Sequence, residues 1–120
     1  MKYLLLIYSA AEAAPQDPAA YGAMMAGYGA FNERLAADGI DWSGEPLQGV
    51  ETATALRRRA GKVETMDGPF AETKEQLGGF YLIDVPDLDT ALHYAAMIPT
   101  ADYGTIEVRP VMDVAALLGA

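Results

Sequence analysis

The chain has 120 residues, of which 52% are hydrophobic, so a single domain with one core is predicted over residues 1–120 and disorder is not. The sequence contains no cysteine, which excludes disulfides, thiolate nucleophiles and cysteine-type zinc sites. Its net charge of −9 repels phosphate backbones and anionic lipid head groups, so partners such as nucleic acid and membranes are disfavoured.

The first predicted strand, residues 2–8, is apolar on both faces, which is typical of a strand covered on both sides. Its apolar run is too short to span a bilayer and a poor match to a signal peptide, so a cytoplasmic location is predicted. A helix is predicted over 18–38, with Asp17 as its N-cap and Gly39 at its end. The larger apolar residues of this helix form one stripe, Tyr21, Met24, Met25, Tyr28, Phe31 and Leu35.

Three glycines, at 22, 27 and 29, weaken that helix, so either a neighbour packs closely against them or the helix is loosely held. The next segment, 40–49, is predicted to be irregular and contains the only tryptophan, Trp42. A plug over the core is the favoured role for Trp42, and stacking against a flat ligand is the alternative.

A strand over 52–58 and a return strand over 63–66 are predicted to form a hairpin. The basic run 57–59 is divided between the two faces of its strand, which favours a charged edge strand over a nucleic-acid patch. A further strand over 80–85 is again apolar on both faces. A helix over 88–98, capped by Asp87, and a last strand over 105–111 complete the pattern.

This order predicts an α+β fold with a βαββαβ antiparallel sheet and two helices on one face. The two doubly apolar strands belong in the centre, and the charged strands at 52–58 and 105–111 belong at the edges. Because two helices cover one face only, the other face is predicted to pack on a second copy of the sheet. The result is a homodimer with a partly polar cavity between the sheets.

The polar stretch 67–79, DGPFAETKEQLGG, lies between the two apolar halves of the chain. Asp67 is suited to accept turn hydrogen bonds, Gly68 to adopt a positive φ, and Pro69 to end a strand. One short helical turn is predicted over 72–77 before the next strand.

The run DGPFAETKEQLGG, followed by FYLIDVPDLDTAL, resembles the signature of the DGPF branch of the YCII-related proteins, and the similarity extends over residues 2–111. This resemblance implies a ferredoxin-like fold paired into a dimeric α+β barrel, in a group whose activity is unsettled. It also implies a link to extracytoplasmic-function sigma factors as partners, because members are often encoded beside them.

Members of the wider family are thought to use a histidine and aspartate pair, but this chain has one histidine, His93, on the outward side of the second predicted helix. The acid–base pair of the family therefore does not carry over. Metal binding is also disfavoured, because Asp84, Asp87 and Asp89 are explained by helix capping and solvated charge. We predict no metal and no cofactor.

The first candidate for a catalytic group is Asp67, held by its turn at the mouth of the predicted cavity, and a purely structural turn residue is the alternative. Six residues are candidates for contact with a substrate, namely Arg57, Glu72, Lys74, Tyr81, Glu107 and Arg109. Surface ion pairing is the alternative for the charged members of this set.

Three functions remain open from the sequence. The first is an enzyme, a lyase, isomerase or hydrolase-like protein, that converts a small polar or aromatic molecule in the interchain cavity. The second is a non-catalytic ligand-sensing or regulatory protein associated with a sigma factor. The third is a dimerisation module. Whether the protein is an enzyme is thus left open by its residues alone.

Overall fold

The computed structural model describes residues 1–119 and shows an α+β domain with a four-stranded antiparallel sheet and a separate two-stranded hairpin. The strands are β1 (Lys2–Ser9), β2 (Trp42–Pro46), β3 (Thr54–Arg59), β4 (Lys62–Asp67), β5 (Gln76–Asp84) and β6 (Thr105–Pro110). The helices are α1 (Pro18–Ala37), α2 (Leu88–Ala95) and the single turn α3 (Val114–Leu117). Three short 3₁₀ turns lie at Ala11–Ala13, Val50–Thr52 and Pro99–Asp102.

The strand order of the large sheet is β2-β5-β1-β6, and all its pairs are antiparallel. The two strands that are apolar on both faces, β1 and β5, occupy the centre as predicted, and β6 lies at one edge as predicted. The odd-numbered side chains of β1 face α1 and α2, and Leu5 and Ile83 at the centre of this face are fully buried.

The other edge strand was predicted wrongly. It is β2, from the segment expected to be irregular, and the strand expected at 52–58 pairs only with its own return strand. A strand that contains Gly44 and Pro46 gives little sequence signal, because neither residue favours a strand interior. The glycine is needed, since a Cβ at residue 44 would lie 2.6 Å from the carbonyl oxygen of Phe80.

The β3–β4 hairpin is closed by the two-residue turn Ala60-Gly61, in which both residues have positive φ. The stretch after it contains no helical turn, so the short helix predicted over 72–77 is wrong. Instead the segment 69–75 is irregular, and β5 already begins at Gln76. Gly68 does adopt a positive φ of 91°, as expected for this turn.

Helix α1 begins as predicted, with the Asp17 carboxylate accepting a hydrogen bond from the amide of Ala20 at 3.2 Å. Its apolar stripe is buried only in the second half, at Phe31 and Leu35, whereas Tyr21 remains half exposed. The N-terminal half of α1 therefore stands away from the sheet and leaves room beneath it.

Helix α2 packs through small residues. Ala91 and Ala95 are buried, whereas Leu88 and Leu92 are exposed. The buried large side chain of α2 is Tyr94, whose hydroxyl donates a 2.6 Å hydrogen bond to Asp38 after α1.

The glycines of α1 differ in what surrounds them. A Cβ at Gly27 would lie 2.9 Å from Cγ of Pro99, whereas a Cβ at Gly29 meets no heavy atom within 4 Å. Gly27 therefore marks a close packing contact, and Gly29 contributes only backbone freedom to the unfolded chain.

We expect Gly29→Ala to raise the free energy of unfolding by up to about 1 kcal/mol, through better helix propensity. Gly27→Ala has the same propensity gain but must displace the rigid ring of Pro99, so it should fail to stabilise or should destabilise. Urea denaturation of the two variants beside the wild type measures this. Equal stabilisation by both substitutions would show that the contact with Pro99 is not tight.

Candidate ligand-binding site

A cavity of about 540 Å³ lies between the N-terminal half of α1 and the sheet. Its wall combines α1, the β2–β5 edge of the sheet and the 3₁₀ turn before β6. We call it the tyrosine cavity, after the four tyrosines that line it, Tyr21, Tyr28, Tyr81 and Tyr103. A volume of this size is within the range of small-molecule sites, about 300 to 1,000 Å³.

Tyr81 is the centre of an aromatic cluster in this wall. Its ring lies parallel to that of Tyr28, with centroids 6.5 Å apart and an interplanar angle of 4°. The ring of Phe31 approaches it edge-on at 5.0 Å, and Trp42 lies against it at 5.6 Å. Tyr81 is only 7% exposed and Trp42 is 37% exposed, so the cluster extends from the core to the surface.

The tyrosine hydroxyls of the wall are held by neighbouring polar atoms. Tyr81 donates to Oδ1 of Asn32 at 2.6 Å, and the hydroxyls of Tyr28 and Thr100 are 2.5 Å apart. Tyr103 donates to the sulfur of Met24 at 2.9 Å. Within residues 1–119 no buried side-chain nitrogen or oxygen lacks a partner. Affinity for a ligand would therefore come mainly from aromatic and apolar contact rather than from orphaned polar groups.

The electrostatics of the wall favour an uncharged occupant. Burial raises the pKa of Tyr28, and burial raises the pKa of Tyr81 to about 12, so both phenols carry their protons at neutral pH. Glu45 is the one charged residue among residues 1–119 that lines the cavity, but it is opposite Phe80 in the sheet, so its carboxylate lies on the other face. No lysine, arginine or histidine contributes to the lining. An anionic ligand would meet no compensating cation there.

The structure brings one of the seven predicted site residues to this cavity, Tyr81. Asp67 and Arg57 are exposed on the β3–β4 hairpin, and Glu72 and Lys74 are exposed in the segment that follows it. The carboxylate of Asp67 forms no hydrogen bond within the part of the chain that the structure describes. A catalytic role for Asp67 stays a prediction.

Glu107 and Arg109 lie on the face of the sheet opposite the helices, which we call the open face. They are opposite Leu6 and Leu4 respectively, whose even-numbered positions on β1 point away from α1. A single chain thus divides the seven candidates among three places: the tyrosine cavity, the hairpin with its following segment, and the open face of the sheet.

Sequence reasoning missed the polar partners of the tyrosines, Asn32, Thr100 and Tyr103. Asn32 gave no signal because it lies beside a helical stripe that looked like ordinary core. Thr100 and Tyr103 lie in a turn between elements, where spacing carries no periodic information. Tyr28 was recognised only as part of the stripe. A cluster of tyrosines on one helix and one central strand was the available clue.

Other predicted features were less informative. His93 is exposed, as expected, and no group of three or more histidine, aspartate or glutamate side chains in the described residues is arranged to hold a metal ion. None of the helices within residues 1–119 has the length and apolar character that a bilayer crossing requires.

Comparison with known proteins identifies two similarities. The family model of the YCII-related domain matches residues 1–115. A protein of Rhizobium meliloti (strain 1021), described as uncharacterized protein R00369, is 57% identical to this chain over 60 residues. That match covers 48% of each protein, so the similarity spans about half the length of this relative.

The raised pKa of Tyr81 predicts a specific loss of stability in alkali. The unfolded chain loses the phenol proton of Tyr81 near pH 10, and the folded chain loses it only near pH 12. The contribution of this protonated phenol to the free energy of unfolding is therefore intact below pH 10 and is lost as the pH rises towards 12. Urea denaturation at several pH values from about 8 to about 11 should show a steeper decline for the wild type than for Tyr81→Phe.

The control for that measurement is Tyr21→Phe, which removes a half-exposed phenol from the same cavity and should keep the wild-type slope. Tyr81→Phe also loses the hydrogen bond to Asn32, which lowers stability at every pH by about 1 kcal/mol and does not alter the slope. Parallel pH profiles for wild type and Tyr81→Phe would contradict the burial of this phenol.

Proposed function

The chain belongs to the family of proteins with a YCII-related domain, and we propose that it binds a small, flat, uncharged aromatic molecule in the tyrosine cavity. The observation that carries this proposal is the parallel pair of Tyr28 and Tyr81 beside Trp42 in a wall without cationic side chains. Aromatic rings offer a flat ligand large contact area at low entropic cost.

Binding without chemical conversion fits this cavity best. A phenol with a pKa of about 12 is a weak acid, and its conjugate base is almost absent at neutral pH, so Tyr81 is poorly matched to acid–base catalysis. Histidine, lysine and cysteine are all missing from the wall, which leaves no nucleophile of ordinary strength. Asn32 and the phenols are instead suited to orient a ligand by hydrogen bonds.

A sensing role follows from binding without conversion. The ligand would stabilise the position of the N-terminal half of α1 over the sheet, because the cavity separates the two. A partner that contacts α1 would then distinguish the loaded from the empty protein. A sigma factor is the partner that the sequence resemblance suggested, and a pull-down with and without ligand tests it.

We further infer that two copies pair through the open faces of their sheets, as in a dimeric α+β barrel. The strand order β2-β5-β1-β6, with the β3–β4 hairpin set aside, supports the ferredoxin-like arrangement on which this pairing is based. The open face has an apolar centre at Leu4, Leu6, Phe80 and Leu82, which a single chain leaves only partly buried.

The pairing supports a second candidate function, conversion of a substrate between the sheets. Glu107 and Arg109 border the apolar centre of the open face and would line the space between two sheets. If Asp67 is the working carboxylate there, Asp67→Asn abolishes turnover but preserves the dimer and its melting temperature. An unchanged turnover would remove Asp67 from this role.

Paired probes of one shape test the ligand class. We expect 2-naphthamide to bind to the wild-type protein in isothermal titration calorimetry and 2-naphthoate to bind at least about tenfold more weakly. The two molecules differ by one charge, and the wall holds no cation to receive it. Equal affinity for both, or tighter binding of the anion, would contradict the proposal.

The location is tested by filling the cavity. Ala14 lines it and its neighbour Ala13 is exposed outside it. Ala14→Phe should abolish binding of 2-naphthamide, and Ala13→Phe should leave it unchanged, because the same side chain then points to solvent. Binding that survives Ala14→Phe with wild-type affinity would place the ligand elsewhere, for example between paired sheets.

A further inference from the structure

The β3–β4 hairpin stands apart from the body of its own chain. Residues 53–68, which we call the arm, are closed at the base by a 2.7 Å hydrogen bond from the amide of Gly68 to the carbonyl of Ala53. Beyond this base every residue from 56 to 67 is exposed, and neither strand pairs with the large sheet. None of its residues belongs to the hydrophobic core.

The projection of the arm is visible in the dimensions of the molecule. The radius of gyration is 16.8 Å, against about 14 Å expected for a compact domain of this length. A two-stranded hairpin with no third strand and no covering helix is only marginally stable in water. An arm of this kind is therefore stabilised when another surface covers it.

One face of the arm is suited to such a contact. Leu56 and Val63 project from the same face, because Leu56 is opposite Thr65 and Val63 is opposite Arg58 in the antiparallel register. Their exposed fractions are 66% and 52%. Just beyond the base, Phe70 is 78% exposed. Met66, on the opposite face, is 45% exposed, so four large apolar side chains are presented to solvent in and beside one projecting element.

The charge of the arm is opposite to that of the remaining chain. Its basic residues are Arg57, Arg58, Arg59 and Lys62, half of the eight in the protein. With two acidic residues, Glu64 and Asp67, the arm carries +2, and since the whole chain carries −9 the rest carries −11. The ion pairs within residues 1–119, Met1 with Asp84 and Arg34 with Asp38, do not involve the arm.

We propose that the arm clasps a second copy of this chain, with the Leu56–Val63 face, which also carries Arg58, against the acidic body of the partner. The arm is net positive, and the body of a second copy, with a net charge of −11, is a surface of complementary charge. By symmetry each copy would contribute one arm. This inference rests on the proposed pairing of two copies, and it adds the segment that secures the pair.

Removal of the arm is a clean test, because its two ends already touch at the base. A variant in which residues 54–67 are replaced by an Asn-Gly turn should keep the near-ultraviolet circular dichroism of the wild type, since the core loses no residue. We expect sedimentation velocity to show dimers for the wild type and a dissociation constant raised at least about tenfold for the variant.

Point substitutions then separate the two faces of the arm. Leu56→Thr with Val63→Thr removes apolar surface but retains strand propensity, so it should raise the dissociation constant about tenfold or more. The matched control, Arg57→Thr with Glu64→Thr, changes a cross-strand pair on the opposite face without altering the net charge. The control should raise the dissociation constant by less than the Leu56 and Val63 variant.

Failure of the proposed pairing and failure of the clasp give different results. If the wild type is a monomer, both the pairing and the clasp are overturned. If the arm-deleted variant dimerises as tightly as the wild type, the clasp alone is overturned. Binding of 2-naphthamide by that variant still tests the tyrosine cavity in either case. A basic arm is also suited to contact nucleic acid. Arm-dependent binding of a labelled DNA duplex at about 0.15 M salt, together with a dissociation constant of the dimer that does not change when the arm is removed, would overturn a role in self-association.

Discussion

The antiparallel pair of β1 and β5 is the constraint on which the rest of this structure depends. Both strands are apolar on both faces, so each face needs a cover. The helices cover the face that carries Leu5 and Ile83, and the opposite face, with Leu4 and Leu82, remains only half covered in a single chain. One surface of the pair thus builds the core, and the other is the surface that we propose packs on a second copy.

The tyrosine cavity arises from the same arrangement, at the place where α1 separates from β5. Phe31 fixes the second half of the helix against the sheet, and the stripe continues to Tyr28 without reaching full burial. Tyr81 lies at the boundary, with one side of its ring in the core and the other towards the cavity. Its high pKa and its hydrogen bond to Asn32 both result from that boundary position.

The sequence was informative where periodicity and burial coincide. Apolar residues on both faces identified β1 and β5 as central strands, and helix caps at Asp17 and Asp87 were correctly placed. The sequence did not predict β2, because that strand is held by backbone pairing with β5 and its residues do not have the apolar or β-branched pattern of a strand. The cavity was not predictable, since it depends on where one helix leaves the sheet, which is a tertiary property.

The short base of the arm has a consequence for how this protein can change over time. Because Ala53 and Gly68 are already joined by a hydrogen bond, the connection between β2 and β5 is closed without the fourteen residues between them. Insertions, deletions or a new sequence in that hairpin would leave the body intact. The exposed hairpin and the interior can therefore diverge separately within one small domain.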